Sequence, residues 1–168
     1  MAHSLGNQIV LNAFARDRFG GSASPIAELV CAAPDVPWKT FMNLGNELPE
    51  VARGVTLYAS STDMALGASM WLNGSVRAGS VTAQGPIQIK GIESIDVTSL
   101  GPNIFSFDFN HNIVMTDISL IGDLSRLFLD RMISAEQEHD SKHPPNIRSP
   151  IIRGAPSGIE PPKYWKFP

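Results

Sequence analysis

Two short runs limit the architecture open to this chain. Ile26 to Ala33 is a short apolar segment that stops at Pro34, with Asp35 just beyond it. Gly54 to Ala59 is rich in β-formers and passes into Ser60-Ser61-Thr62-Asp63. A strand apolar on both sides needs cover on both faces, as in parallel sheets flanked by helices. Helical patterns follow each run. Trp38 to Leu44 carries apolar residues at helical spacing before Gly45-Asn46, a short helix is expected over Leu48 to Ala52, and Met64 to Leu72 closes at Asn73-Gly74. Strands alternating with helices predict an α/β class with right-handed crossovers, whose ligands gather outside the carboxyl ends of the strands.

The rest of the chain extends this pattern. Ile9, Val10, Ala13 and Phe14 predict a helix of about three turns that gives out before Gly20-Gly21. Gly74 to Gly85 is built from small residues with Arg77 its only charge, and reads as a surface loop. Ile92 to Val97 alternates apolar and polar residues, which predicts a third strand nearer the sheet edge than the first two. Phe105, Phe107 and Phe109 then alternate up to His111. Ile118, Ile121, Leu124, Leu127 and Phe128 mark a long amphipathic helix with Thr116 or Asp117 near its cap. The division expected is a domain over residues 1–133 and a tail over 134–168. That tail holds seven of the thirteen prolines and few aliphatic residues, so it reads as extended or disordered. Its final Tyr164-Trp165-Lys166-Phe167 is aromatic enough to dock back on the domain.

Chemistry is suggested first at the start of the chain. Ala2-x-Ser4-x-Gly6 has the small-x-Ser-x-Gly form of a nucleophile elbow, a sharp strand-to-helix turn where bulk at either flank would push the serine off its perch. Only three residues precede Ser4, so the strand that feeds such a turn is expected to be missing. The backbone N–H of Leu5, at the head of the following helix, would face negative charge developing beside Ser4 Oγ. Serine needs a histidine to take its proton and a carboxylate to hold that imidazole. Ser4, Asp35, Asp63 and His111 all fall at or beyond expected strand ends. Plainer roles exist for each partner: Asp63 as the cap of the helix at Met64, Asp35 as a helix cap rather than the acid, and His111 as a loop histidine bonded to backbone. His3 is expected to point away if Ser4 points into the site, and His139 and His143 to be solvated in the tail.

Composition removes other classes. With 168 residues and a net charge of −3, the chain can form one domain with a core but offers no basic patch for nucleic acid. Cys31 is the single cysteine and reads as a buried small hydrophobe. No signal peptide opens the sequence and no apolar run would span a bilayer, which leaves the cytoplasm as the default compartment. Asp and His lack ligand-like clustering, so neither a metal nor an organic cofactor is expected. No Gly-x-Gly-x-x-Gly follows a strand, which argues against a dinucleotide-binding domain.

Three blocks carry a resemblance. Ala2-His3-Ser4-Leu5-Gly6-Asn7, Leu29 to Val36, and Val55 to Asp63, in that order, resemble the second half of a bacterial α/β-hydrolase family catalogued as a domain of unknown function. It extends roughly from Ala2 to Leu129. The resemblance implies a partial α/β-hydrolase fold, three-layered with a mostly parallel sheet and lacking its N-terminal strands. It also implies an esterase- or lipase-like serine hydrolase with Ser4 as nucleophile, Asp63 as acid and His111 as base, in the chain order of that fold. The surroundings of His111, Asn110-His111-Asn112-Ile113, depart from the family's His-Ser-Tyr pattern. A small-molecule ester or acyl compound is the expected substrate, with activity impaired if the first strands are lost. The other class of function is a non-catalytic or split hydrolase fragment, self-associating or binding a partner chain through an exposed sheet edge.

Overall fold

A computed structural model describes residues 1–16, 26–100, 111, 117–137, 153–154 and 164–167. Its helices are α1 (Gly6–Arg16), α2 (Trp38–Gly45), α3 (Leu48–Val51), α4 (Met64–Asn73) and α5 (Ile118–Gln137). Its strands are β1 (Ala2–His3), β2 (Leu29–Ala32), β3 (Val55–Ala59), β4 (Glu93–Asp96), β5 (Arg153–Gly154) and β6 (Trp165–Lys166). They form one sheet in the order β1-β2-β3-β4-β6-β5. Every neighbouring pair from β1 to β6 is parallel, and β5 runs antiparallel to β6 at the edge.

Ile26 to Ala33, read as a buried strand, and Gly54 to Ala59, read as a second strand, hold β2 and β3, and every residue of both strands is buried. Side chains alternate between faces along a strand, so one run feeds two cores. Leu29, Cys31, Val55 and Leu57 pack with Leu11 of α1, Phe41 of α2 and Leu48 of α3. Val30, Ala32, Tyr58 and Ile95 face the other way, onto Leu120 and Leu127 of α5. Helices on both faces give three layers and cover the apolar sheet. Among the described residues, no helix is long and apolar enough to cross a membrane.

Four expectations are corrected by the structure. Ala2 and His3 do form a strand ahead of Ser4: they pair in parallel with Cys31 and Ala32 of β2. The stretch from Gly74 to Gly85 is not all surface, because Arg77, Ala78 and Gly79 are buried. It threads past the ends of β2 and β3, with Gly79 N–H donating to Pro34 O at 3.0 Å and Ser60 N–H donating to Gly79 O at 2.9 Å. Small residues stand there for close packing: a Cβ on Gly79 would lie 2.6 Å from the Ala33 carbonyl carbon.

Strand β4 is interior, between β3 and β6. Its alternation reflects buried polar groups with partners, since Ser94 Oγ donates to Ile87 O and Asp96 Oδ1 accepts from Thr98 N–H at 2.9 Å. The neighbour that encloses it comes from the aromatic run at the chain's end, which docks on the sheet with Phe167 buried in the α5-side core. Finally, α5 turns Leu120, Asp123 and Leu127 inward and leaves Ile118, Ile121 and Phe128 exposed. Tyr58 Oη donates to the Asp123 carboxylate, and that bond ties the helix to the sheet. Asp117 caps α5, its Oδ1 accepting from the N–H groups of Ser119 at 2.8 Å and Leu120 at 3.2 Å. Gly20-Gly21, Phe105, Phe107, Phe109, His139 and His143 lie outside the described residues.

Candidate active site

Ser4 stands where β1 turns into α1, with φ at +52°, a left-handed conformation that non-glycine residues seldom adopt. The surrounding backbone determines it. Ser4 N–H donates to Ala32 O at 3.0 Å, continuing the β1–β2 pairing one residue past the strand. Ser4 O accepts from Asn7 N–H at 3.1 Å, which starts the helix, and from Asp35 N–H at 3.3 Å. Asn7 adds a side-chain clamp: its Nδ2 donates to Ser4 O at 3.0 Å and to Ala32 O at 3.2 Å, with the residue 1% exposed. Among the described residues, Asn7 Oδ1 is buried without a partner. The amide orientation is nonetheless dictated, because two carbonyl oxygens require the donor side. Strain at a serine on this kind of turn is characteristic of functional sites.

Of the two flanking small residues, Ala2 is buried, whereas a Cβ on Gly6 would meet nothing within 4 Å among the described residues. The crowding expected at Gly6 is therefore absent there. Leu5 follows Ser4 with its side chain exposed, and among the described residues its N–H donates to no backbone carbonyl. A surface cleft of about 630 Å³ runs along α1, lined by Leu5, Gln8, Ile9, Asn12 and Ala13 and by none of Ser4, Asp63 and His111.

Asp63 lies beyond the end of β3 and serves two partners. Its Oδ1 accepts from Leu66 N–H at 2.9 Å, capping α4, while its Oδ2 lies 2.7 Å from Nδ1 of His111. Capping and histidine contact are thus compatible, because a carboxylate has two oxygens and capping uses one. The side chains are 2% exposed for Asp63 and 15% for His111, so water screens the contact little. With Nδ1 bearing the hydrogen toward the carboxylate, a neutral His111 presents Nε2 as a base.

His3 joins His111 to the serine turn. Its Nε2 is 2.9 Å from the His111 carbonyl oxygen, and the two rings are 4.7 Å apart at a tilt of 53°. Sequence reasoning directed His3 away from the site. The available signal was strand alternation, which puts Ala2 and His3 on opposite faces and His3 in register with Ala32 and Tyr58.

Asp35, the other carboxylate at a strand end, is engaged elsewhere. Ser69 Oγ donates to its Oδ1 at 2.7 Å, and Nε of the buried Arg77 lies 3.1 Å from the same oxygen. That Nε–H is not aligned for a hydrogen bond, so the Arg77 contact is Coulombic. Asp35 does not cap α2, whose first turn has no side-chain cap. Cys31 sits deep in the sheet, where burial pushes its thiol up to about 12, away from the ionised form. Among the described residues, no group of three His, Cys, Asp or Glu side chains is placed to hold a metal ion.

No curated protein and no solved structure matches the chain. The family model described as alpha/beta hydrolase of unknown function (DUF900) matches residues 1–123, a span that includes Ser4, Asp63 and His111. The parallel sheet with helices on both faces agrees with that match, and the chain belongs to this α/β-hydrolase family.

Proposed function

We propose that this protein is a serine hydrolase acting on small carboxylic esters, with Ser4 as nucleophile, His111 as general base and Asp63 as the carboxylate that orients it. The observation that carries the reading is the 2.7 Å contact from Asp63 Oδ2 to His111 Nδ1, held beside a left-handed serine through His3. Ser4 Oγ bonds to the acyl carbon while its proton passes to His111 Nε2, and the carbonyl electron pair moves onto oxygen. The Leu5 N–H faces that oxyanion. Collapse breaks the bond to the alkoxy oxygen, which leaves as the alcohol with the proton from His111. Water activated by the same imidazole then releases the acid and restores Ser4. Asp63 stabilises the imidazolium in both halves. Leu5, exposed and next to Ser4 in the chain, suits an apolar group on the substrate.

Initial rates on p-nitrophenyl esters of graded acyl length test this directly. Ser4→Ala and His111→Gln are expected to reduce kcat by at least about a thousandfold. Asp63→Asn is the sharper variant, because asparagine caps helices as well as aspartate does and α4 should survive. Its kcat should still fall by about a thousandfold or more as the His111 tautomer is lost. Ester turnover that persists in Ser4→Ala would refute the assignment.

A second reading, an interaction module, is favoured by one observation: among the described residues β1 pairs on one side only. Sedimentation across a concentration series distinguishes it. A monomer at every concentration argues against self-association through that edge.

A further inference from the structure

We infer that His3 is a positioning residue for His111, fixing the backbone of the base from the strand that presents the nucleophile. The inference rests on the hydrolase reading for its kinetic consequence, but its geometry is independent of turnover. Two of the contacts that hold His111 fix different parts of it: its ring is held by Asp63 Oδ2 at 2.7 Å and its carbonyl oxygen by His3 Nε2 at 2.9 Å. The first fixes where Nδ1 points. The second fixes where the residue itself stands, which a bond to the ring tip alone does not do.

His3 precedes Ser4 in the chain and belongs to β1, paired with Ala32. Any shift of the serine turn therefore carries the His111 anchor with it, so nucleophile and base keep a common reference. A carbonyl accepts only from a donor, so His3 carries its hydrogen on Nε2. The ring pair at 4.7 Å adds contact area against His111 from the same side chain. His3 is 108 residues from His111 in sequence, so this is a tertiary link and not a local turn.

The test separates the donor from the ring. His3→Phe keeps an aromatic ring without a donor, His3→Met is a second donor-free variant should the first fail to fold, and His3→Gln restores an N–H donor. Displacing a base by about an ångström costs on the order of a hundredfold in rate. The donor-free variants should therefore lose roughly 10- to 100-fold in kcat with KM little changed, while His3→Gln recovers most of that loss. Melting temperatures establish that each variant is folded. A readout independent of turnover is the imidazole Nδ1–H resonance of His111, expected to be sharp in the wild type and His3→Gln and broadened in the donor-free variants.

Wild-type kcat and a sharp resonance in His3→Phe and His3→Met would overturn the inference. A wild type without esterase activity, combined with broadening in the donor-free variants, would sustain the positioning role and remove the hydrolase reading instead.

Discussion

Replacing Ser4 by glycine should make the protein more stable than replacing it by alanine. Ser4 has φ at +52°, and a non-glycine residue in that region stores about 1–3 kcal/mol. Alanine keeps the strain because it keeps a Cβ. Glycine releases it but loses more backbone entropy on folding, by roughly 0.5–1 kcal/mol. The balance favours glycine by about 1 kcal/mol. At an ordinary position the sign is reversed, with alanine the more stable by about 0.5–1 kcal/mol, so the direction alone is diagnostic. For a chain of this size, 1 kcal/mol corresponds to a melting-temperature difference of about 2–4 °C. Thermal melts by circular dichroism, with urea titrations to check that the slope is unchanged, measure it. Ala33, at φ +41°, is a companion position with no role in the proposed chemistry, and Ala33→Gly should shift stability the same way. Ser4→Gly melting below Ser4→Ala would refute the claim that the turn is strained.

Other sites give independent expectations. Gly79→Ala forces a Cβ to 2.6 Å from Ala33 C and 2.7 Å from Pro34 N, both backbone atoms, and should destabilise by about 1–3 kcal/mol in chemical denaturation. Asn7→Asp turns a donor into an acceptor facing Ser4 O and Ala32 O, and should cost about 1–3 kcal/mol despite near-identical size. The Cys31 thiol, pushed up to about 12 by burial, should resist a disulfide reagent at pH 8 in the folded protein and react promptly in urea. The sign of the accompanying pH effect follows from linkage. The unfolded thiol ionises near 9 and the folded one near 12, so this contribution to stability is complete below pH 9 and declines between those values.

Much of the central sheet was legible because burial on both faces leaves a direct mark. Ile26 to Ala33 is a short apolar run that stops at Pro34 and Gly54 to Ala59 is rich in β-formers, and they hold β2 and β3. Asp63 and His111 were named from their order beyond strand ends, and they are in contact. The features that escaped depend on partners distant in sequence. Trp165 and Lys166 are too few residues to announce a strand, yet they enclose β4. Arg77 looked solvated because charge usually is, but Asp35 supplies a counter-charge beside it. Asp123 interrupts an apolar helix face without disrupting it because the Tyr58 hydroxyl meets it there. His3 was misread for a related reason: its neighbour is the carbonyl of a residue more than a hundred positions later.

The most direct test of the account is whether Ser4 is a competent nucleophile. The folded protein is incubated with a fluorophosphonate probe, digested, and mapped by mass spectrometry. The expected result is a single adduct on the Ser4 peptide that disappears in Ser4→Ala and forms far more slowly in His111→Gln. Folded wild-type protein without an adduct, or an adduct on another serine that survives Ser4→Ala, would contradict it.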